Sequence, residues 1–194
     1  MCVSSKFVKT EFFVWLQWVL LTLAGFLVSL LFIEIGERPD IGAFQGAIGG
    51  AAIGLAQWFF LRSRISHPWR WVLACVISWG LLGFSGLGAL GWFAPATPQI
   101  PLRIVYGAIN GEQMGLLIGL AQWLAIWKQV TAGWRWVLTS SVCWAVALAI
   151  GWTVGGLLSQ ATGLFLGEVV GLAVAWIVAA ATTGIPLVCF FDSH

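Results

Sequence analysis

Glycine recurs every four residues at Gly107, Gly111, Gly115 and Gly119, and Gln122-Trp123 follow. The same pattern runs through Gly42, Gly46, Gly50 and Gly54 to Gln57-Trp58, 65 positions earlier (107 − 42), and both copies contain the string Gly-Leu-Ala-Gln-Trp. A worn third copy has Gly163, Gly167 and Gly171 ahead of Trp176, with Val174 where the glutamine is expected. Positions four apart on an α-helix drift by about 40° per step, so each glycine set makes a shallow inclined groove on one helix face. A neighbouring backbone can enter such a groove. In lipid this close approach replaces the hydrophobic drive between helices that water would supply. Three residues beyond the last glycine, Gln57 and Gln122 fall on that same face, where an amide can hydrogen-bond across the contact. Packing is the simpler role for these glutamines, and a ligand or pigment contact is the alternative, because the third copy keeps glycines and loses the glutamine.

Composition decides that the surroundings are lipid. Hydrophobic residues make up 60% of the chain and charged residues 8%, against about 25% charged in an ordinary soluble domain. A soluble fold of this size still exposes roughly a third of its unfolded surface, too much for such a chain to hide. An integral membrane protein remains, and the 14 tryptophans suit the membrane–water interface. The net charge of +2 leaves no nucleic-acid footprint. Cys2, Cys75, Cys143 and Cys189 form no CxxC pair and read as small apolar residues in helices, without disulfide, zinc or haem.

Six apolar runs follow one another. They cover about Phe12–Ile33, Ile41–Leu61, Trp69–Trp92, Leu102–Trp127, Trp134 to a fading end near Gly155-Gly156, and Leu164–Phe190, where Pro186 offers a kink. Runs of about 20 residues cross a hydrocarbon core of roughly 30 Å. The first is too long for a signal-peptide core and has no small-x-small cleavage site after it. The three prolines of 94–101 exclude helix and central strand there. Lys6, Lys9, Arg62, Arg64, Arg70, Lys128 and Arg135 lie on one side and only Arg38 and Arg103 on the other, so the positive-inside rule puts both termini in the cytoplasm.

The odd-numbered helices repeat too, through Trp18-Val-Leu20, Trp71-Val-Leu73 and Trp136-Val-Leu138. The expected fold is therefore all-α, a single transmembrane domain over 1–194. It comprises three parallel two-helix repeats, at about 12–61, 69–127 and 134–190, packed through their GxxxG faces about an axis along the membrane normal. The pattern GxxxGxxxGLAQW, a basic turn, then WRWVL resembles a loose group of bacterial multi-pass membrane proteins, common in cyanobacteria and Chloroflexi, that carry repeated GxxxGLxQW…WVL hairpins. The likeness is best over 42–83 and 107–152, and departs after Trp123, where Trp127-Lys128 stand in place of Leu61-Arg62. It implies the fold and a photosynthetic host, in a bacterial cell membrane or thylakoid. It brings no activity with it.

Chemistry has few bearers. Ionisable residues inside a membrane are the default candidates, and here they are Glu112 and Glu168, each just after a repeat glycine and so on the flank of a packing face. Asn110 and Gln113 make the surroundings of Glu112 the most polar stretch of any helix. A proton or cation path is one reading. A neutral, hydrogen-bonded carboxyl, or a contact with a cofactor or partner subunit, is the simpler one. At 1.5 Å per residue Arg103 lies over about 12 Å along the axis from Glu112, so no salt bridge to Glu112 is expected within the chain. Glu34, Glu37 and Asp40 read as a solvated rim.

Enzyme motifs of the HExxH, GxSxG and P-loop kinds are absent from the sequence. His67 and His194 sit at the membrane edge, so an axial histidine within the bilayer is missing, which leaves chlorophyll or carotenoid contact open only through other residues. The expectation is a non-catalytic accessory or scaffold subunit that packs against a larger, photosynthetic membrane complex. The alternative is a small-solute or ion transporter or channel with Glu112 in the path. Mitochondrial carriers share three parallel two-helix repeats, but their Pro-x-acidic-x-x-basic signature is missing from these hairpins.

Overall fold

A computed structural model describes residues 5–36, 41–85, 89–129 and 133–191, with only the backbone of 5–10 and 188–191. Glu37, Arg38, Asp40, Cys2 and His194, and the side chains of Lys6, Lys9 and Cys189, lie outside the described residues. The described chain is all-helical: α1 (Ser5–Ser29), α2 (Ala43–Leu61), α3 (Trp69–Phe84), α4 (Ile100–Ile126), α5 (Trp134–Thr162) and α6 (Leu166–Phe191), with one 3₁₀ turn at Leu90–Trp92. Extended pairing among the described residues is limited to a parallel bridge between Gly36 and Phe93. Four helices, α1, α2, α5 and α6, are long and apolar enough to cross a membrane. Helix α3 has 16 residues, and α4 carries Arg103, Asn110, Glu112, Gln113 and Gln122.

Helix α1 spans Ser5–Ser29 rather than about Phe12–Ile33, and two further boundaries differ from the sequence reading for a visible physical reason. The third helix stops at Phe84 rather than Trp92. Ser85 turns its hydroxyl back onto the Leu82 carbonyl, and the 3₁₀ turn sends Trp92 inward, where its indole donates to Ser29 Oγ at 2.7 Å. The fifth helix runs past Gly155-Gly156 to Thr162. It ends at Gly163, whose φ of 69° is left-handed and whose N–H returns to the Ser159 carbonyl. Gly163 thus serves as a cap. A Cβ on it would meet nothing within 4 Å, so it is not a packing glycine.

The other glycines lie where backbones approach. A Cβ on Gly50 would stand 2.5 Å from the Cys75 carbonyl oxygen, and one on Gly46 would strike the Trp79 carbonyl, so this face of α2 is filled by α3. On α4, Gly107, Gly111, Gly115 and Gly119 meet α5 in the same way, with the Ser140 carbonyl oxygen 2.5 Å from a Cβ on Gly115. Both faces meet the helix that follows in the chain. Helix α6 turns back instead: Gly167 meets Leu158 and Ser159, and Gly171 meets Gly151 and Gly155. Gly42 is the N-cap of α2, and its own carbonyl, rather than its Cα face, abuts Gly83.

Close pairing at glycine brings two helices together and leaves a wide space inside the ring of pairs. Tryptophan fills it. Eight of the fourteen, Trp18, Trp71, Trp79, Trp92, Trp136, Trp144, Trp152 and Trp176, are buried. That corrects their general assignment to the membrane surface; Trp69, Trp127 and Trp134 are each more than half exposed. Trp176 lies at the centre, with ring centroids 4.8 Å from Trp144, 5.6 Å from Trp79 and from Trp92, and 5.4 Å from Phe26. An indole suits this place because it buries large apolar area and keeps one donor that must find a partner.

Candidate functional site

Three polar places stand out against this apolar background. The first is a belt through the interior. Trp71 Nε1 donates to Gln57 Oε1 at 2.8 Å, and Trp136 Nε1 donates to Gln122 Oε1 at 2.9 Å, each pair spanning 14 residues. Gln57 Nε2 donates to Thr22 Oγ1 at 3.2 Å, while Gln122 Nε2 points to Cys75 Sγ at 3.6 Å. The glutamines therefore bind the opening tryptophan of the next helix. No glutamine occupies the corresponding place on α6. Val174 is only half-buried, and the acceptor for Trp18 Nε1 is Thr183 Oγ1, at 3.3 Å. The three tryptophans of the Trp-Val-Leu strings meet, with centroids 6.2 Å apart for Trp18–Trp71 and 5.8 Å for Trp71–Trp136.

The second place is an ion pair at the end of the bundle opposite the basic turns. Arg103 Nη1 donates to Glu168 Oε2 at 2.7 Å, and both residues are about 5% exposed. The guanidinium also donates to three carbonyls: Thr97 at 2.7 Å, Pro95 at 2.9 Å and Trp152 at 3.1 Å. Glu168 Oε1 accepts from Ser159 Oγ at 2.8 Å. Lying in the first turn of α6, the carboxylate is stabilised by the helix N-terminus as well. Gly155 and Gly156 make the room: a Cβ on Gly155 would stand 2.8 Å from Glu168 Oε2, and one on Gly156 2.7 Å from Arg103 Nε. The pair floors a pocket of about 380 Å³ lined also by Ala96, Pro98, Gln160 and Phe165. The sequence pattern alone places Arg103 on the side opposite the basic turns and gives Glu168 no partner. The signal was present, since Arg103 lies four residues before Gly107 and continues the glycine face by one step.

The third place is the outer wall of α4. Glu112 and Gln113 are exposed and Asn110 is half-buried. The Glu112 side chain has no hydrogen bond or ion pair among the described residues, although its backbone carbonyl accepts from Ser141 Oγ. Of the two settings expected for it, a hydrogen bond within the chain is not formed among the described residues. One residue past Gly111 is a turn of about 100°, enough to leave the contact with α5. Glu112 shares its stripe with exposed Leu116, Leu120 and Leu124, near the middle of a 27-residue helix.

At the opposite edge, the two basic turns lie side by side, with Ser66 N and Oγ both donating to Gln129 Oε1 at 2.8 Å. Arg62, His67, Arg70, Lys128 and Arg135 are exposed there. Among the described residues the arrangement defines an all-helical protein with four membrane-length apolar helices, an aromatic interior, a buried ion pair and a polar patch on its outer wall. Comparison with protein-family models, with curated proteins and with solved structures found no match.

Proposed function

We propose that this chain is a non-catalytic integral-membrane accessory or scaffold subunit whose α4 wall docks a larger membrane complex. Glu112 is the observation that carries the reading. An ionised carboxylate in hydrocarbon costs at least about 2.5 kcal/mol, and intramembrane charges ordinarily face a bundle interior or a cavity. Glu112 does neither, and Gln113 and Asn110 widen the polar patch. A partner helix offering a hydrogen-bond donor or a cation at that depth would satisfy the carboxyl; lipid would not.

Six crossings in three hairpins, packed through the glycine faces, are the architecture we infer for the bilayer. The basic turns lie on the cytoplasmic side with both termini, in a bacterial cell membrane or thylakoid. A photosynthetic complex as partner rests on the sequence resemblance alone. Transport with Glu112 in the path draws no support from an interior closed by tryptophans, from which Glu112 points away.

Purification of tagged chain in a mild detergent, followed by mass spectrometry, tests the reading. Stable stoichiometric partners are expected with the wild type and lost with Glu112→Leu, while the melting temperature of the isolated variant stays unchanged because the Glu112 side chain makes no hydrogen bond or ion pair among the described residues. Partners that remain bound to Glu112→Leu would sink the assignment of this face.

A further inference from the structure

Between the belt and the tryptophan cluster lies a cavity of about 30 Å³ to which all six helices contribute: Thr22, Gln57, Trp79, Gln122, Ser140 and Thr183, from α1 to α6 in order. We propose that it is a built water site, holding one or two ordered waters that Ser140 anchors.

The chemistry of the walls carries this. Ser140 is 1% exposed, yet its hydroxyl has no hydrogen-bond partner among the described residues. Thr22 Oγ1 accepts from Gln57 and donates to none of them. Each glutamine oxygen accepts an indole N–H, each amide keeps one N–H unused, and Gln122 Oε1 keeps a lone pair as well. Gln122 uses its other N–H on the Cys75 sulfur, a weak acceptor. Polar groups that open onto a cavity with bonding capacity unused are where ordered water is found, provided the cavity has room for a water molecule. About 10–15 Å³ of such room accommodates one water.

The same inventory selects water over an ion. A cation would find neutral oxygens but no negative charge to offset its dehydration. An anion would find donors but no positive charge, since no charged side chain lines the cavity. Water both donates and accepts. It can take the Gln122 and Gln57 N–H groups and the Thr22 hydroxyl, and donate to Ser140 Oγ.

A structure of the full chain at a resolution that shows ordered solvent, with bromide and rubidium soaks, tests the site. Density within hydrogen-bond distance of Ser140 Oγ and no anomalous peak is the expected result; a dry cavity, or an anomalous bromide or rubidium peak in it, overturns the proposal. Ser140→Ala, which adds no bulk, supplies an independent readout. A wet cavity predicts a melting temperature lower by a few degrees, because the water loses its anchor. In a dry cavity the same change removes an orphan hydroxyl, so an unchanged or raised melting temperature counts against the water.

Discussion

Replacing Glu168 with leucine strands a guanidinium, and replacing Arg103 with leucine strands more. The geometry ranks the two. In Glu168→Leu the guanidinium keeps the carbonyls of Pro95, Thr97 and Trp152. Loss of one partner of a buried pair typically costs about 3–5 kcal/mol, and the lower end is expected because the pocket beside the pair admits water. In Arg103→Leu the carboxylate retains only Ser159 and the helix N-terminus, and the three carbonyls lose their donor together. An unsatisfied buried group costs about 1–3 kcal/mol before water compensates, so this variant is the less stable of the two. The double variant removes the stranded carboxylate as well and should be no worse than Arg103→Leu alone. Unfolding in mixed micelles by denaturant titration, on all four corners of the cycle, measures this. Additive losses, with a coupling indistinguishable from zero, would refute the view that the pair acts as one unit.

Gly115→Leu places a side chain where a Cβ already stands 2.5 Å from the Ser140 carbonyl oxygen, so α4 and α5 must separate; a thermal melt matching wild type would contradict the glycine-face packing. Gln122→Leu leaves the Trp136 indole N–H without its acceptor and should cost about 0.6–2 kcal/mol, read as a lower melting temperature. Glu112→Gln keeps most of the hydrogen-bonding capacity of the carboxyl and should retain the docking partner that Glu112→Leu loses, as judged by co-purification. Cysteines introduced at Ala96 and Ser63, both exposed, should react with a membrane-impermeant thiol reagent from opposite sides of the membrane; same-side labelling would overturn the topology.

Helices were legible wherever apolar length and glycine spacing agreed, as at Ala43–Leu61 and Leu166–Phe191. They were misread where glycine carried two meanings. Gly155-Gly156 looked like the end of a helix because glycine weakens helix interiors, but the pair is a recess for Arg103 and Glu168. Gly163 continued the four-residue spacing and proved to be a cap. The glutamine–tryptophan contacts could be anticipated only in part. Gln57 and Gln122 announced a polar contact, and Trp71 and Trp136 announced a repeat, but their joining needs the angle at which each pair of helices meets. Thr183 could not be found by alignment at all, because it lies nine residues past Val174 and shares no string with the glutamines. Glu112 was legible as a flank position one step of about 100° from Gly111, and its exposure follows from periodicity, since Leu116, Leu120 and Leu124 continue its stripe outward.

The contacts between the first and last helices set an order of events during synthesis. Trp15 Nε1 donates to the Ala181 carbonyl at 2.8 Å across 166 residues, and Trp18 reaches Thr183 across 165. A ribosome adding roughly 5–20 residues per second needs about 8–33 s to make the segment that supplies these acceptors. Throughout that interval α1 carries two indole donors whose acceptors do not yet exist. The ring is therefore shut by α6, and a chain cut short before it has an open seam along α1.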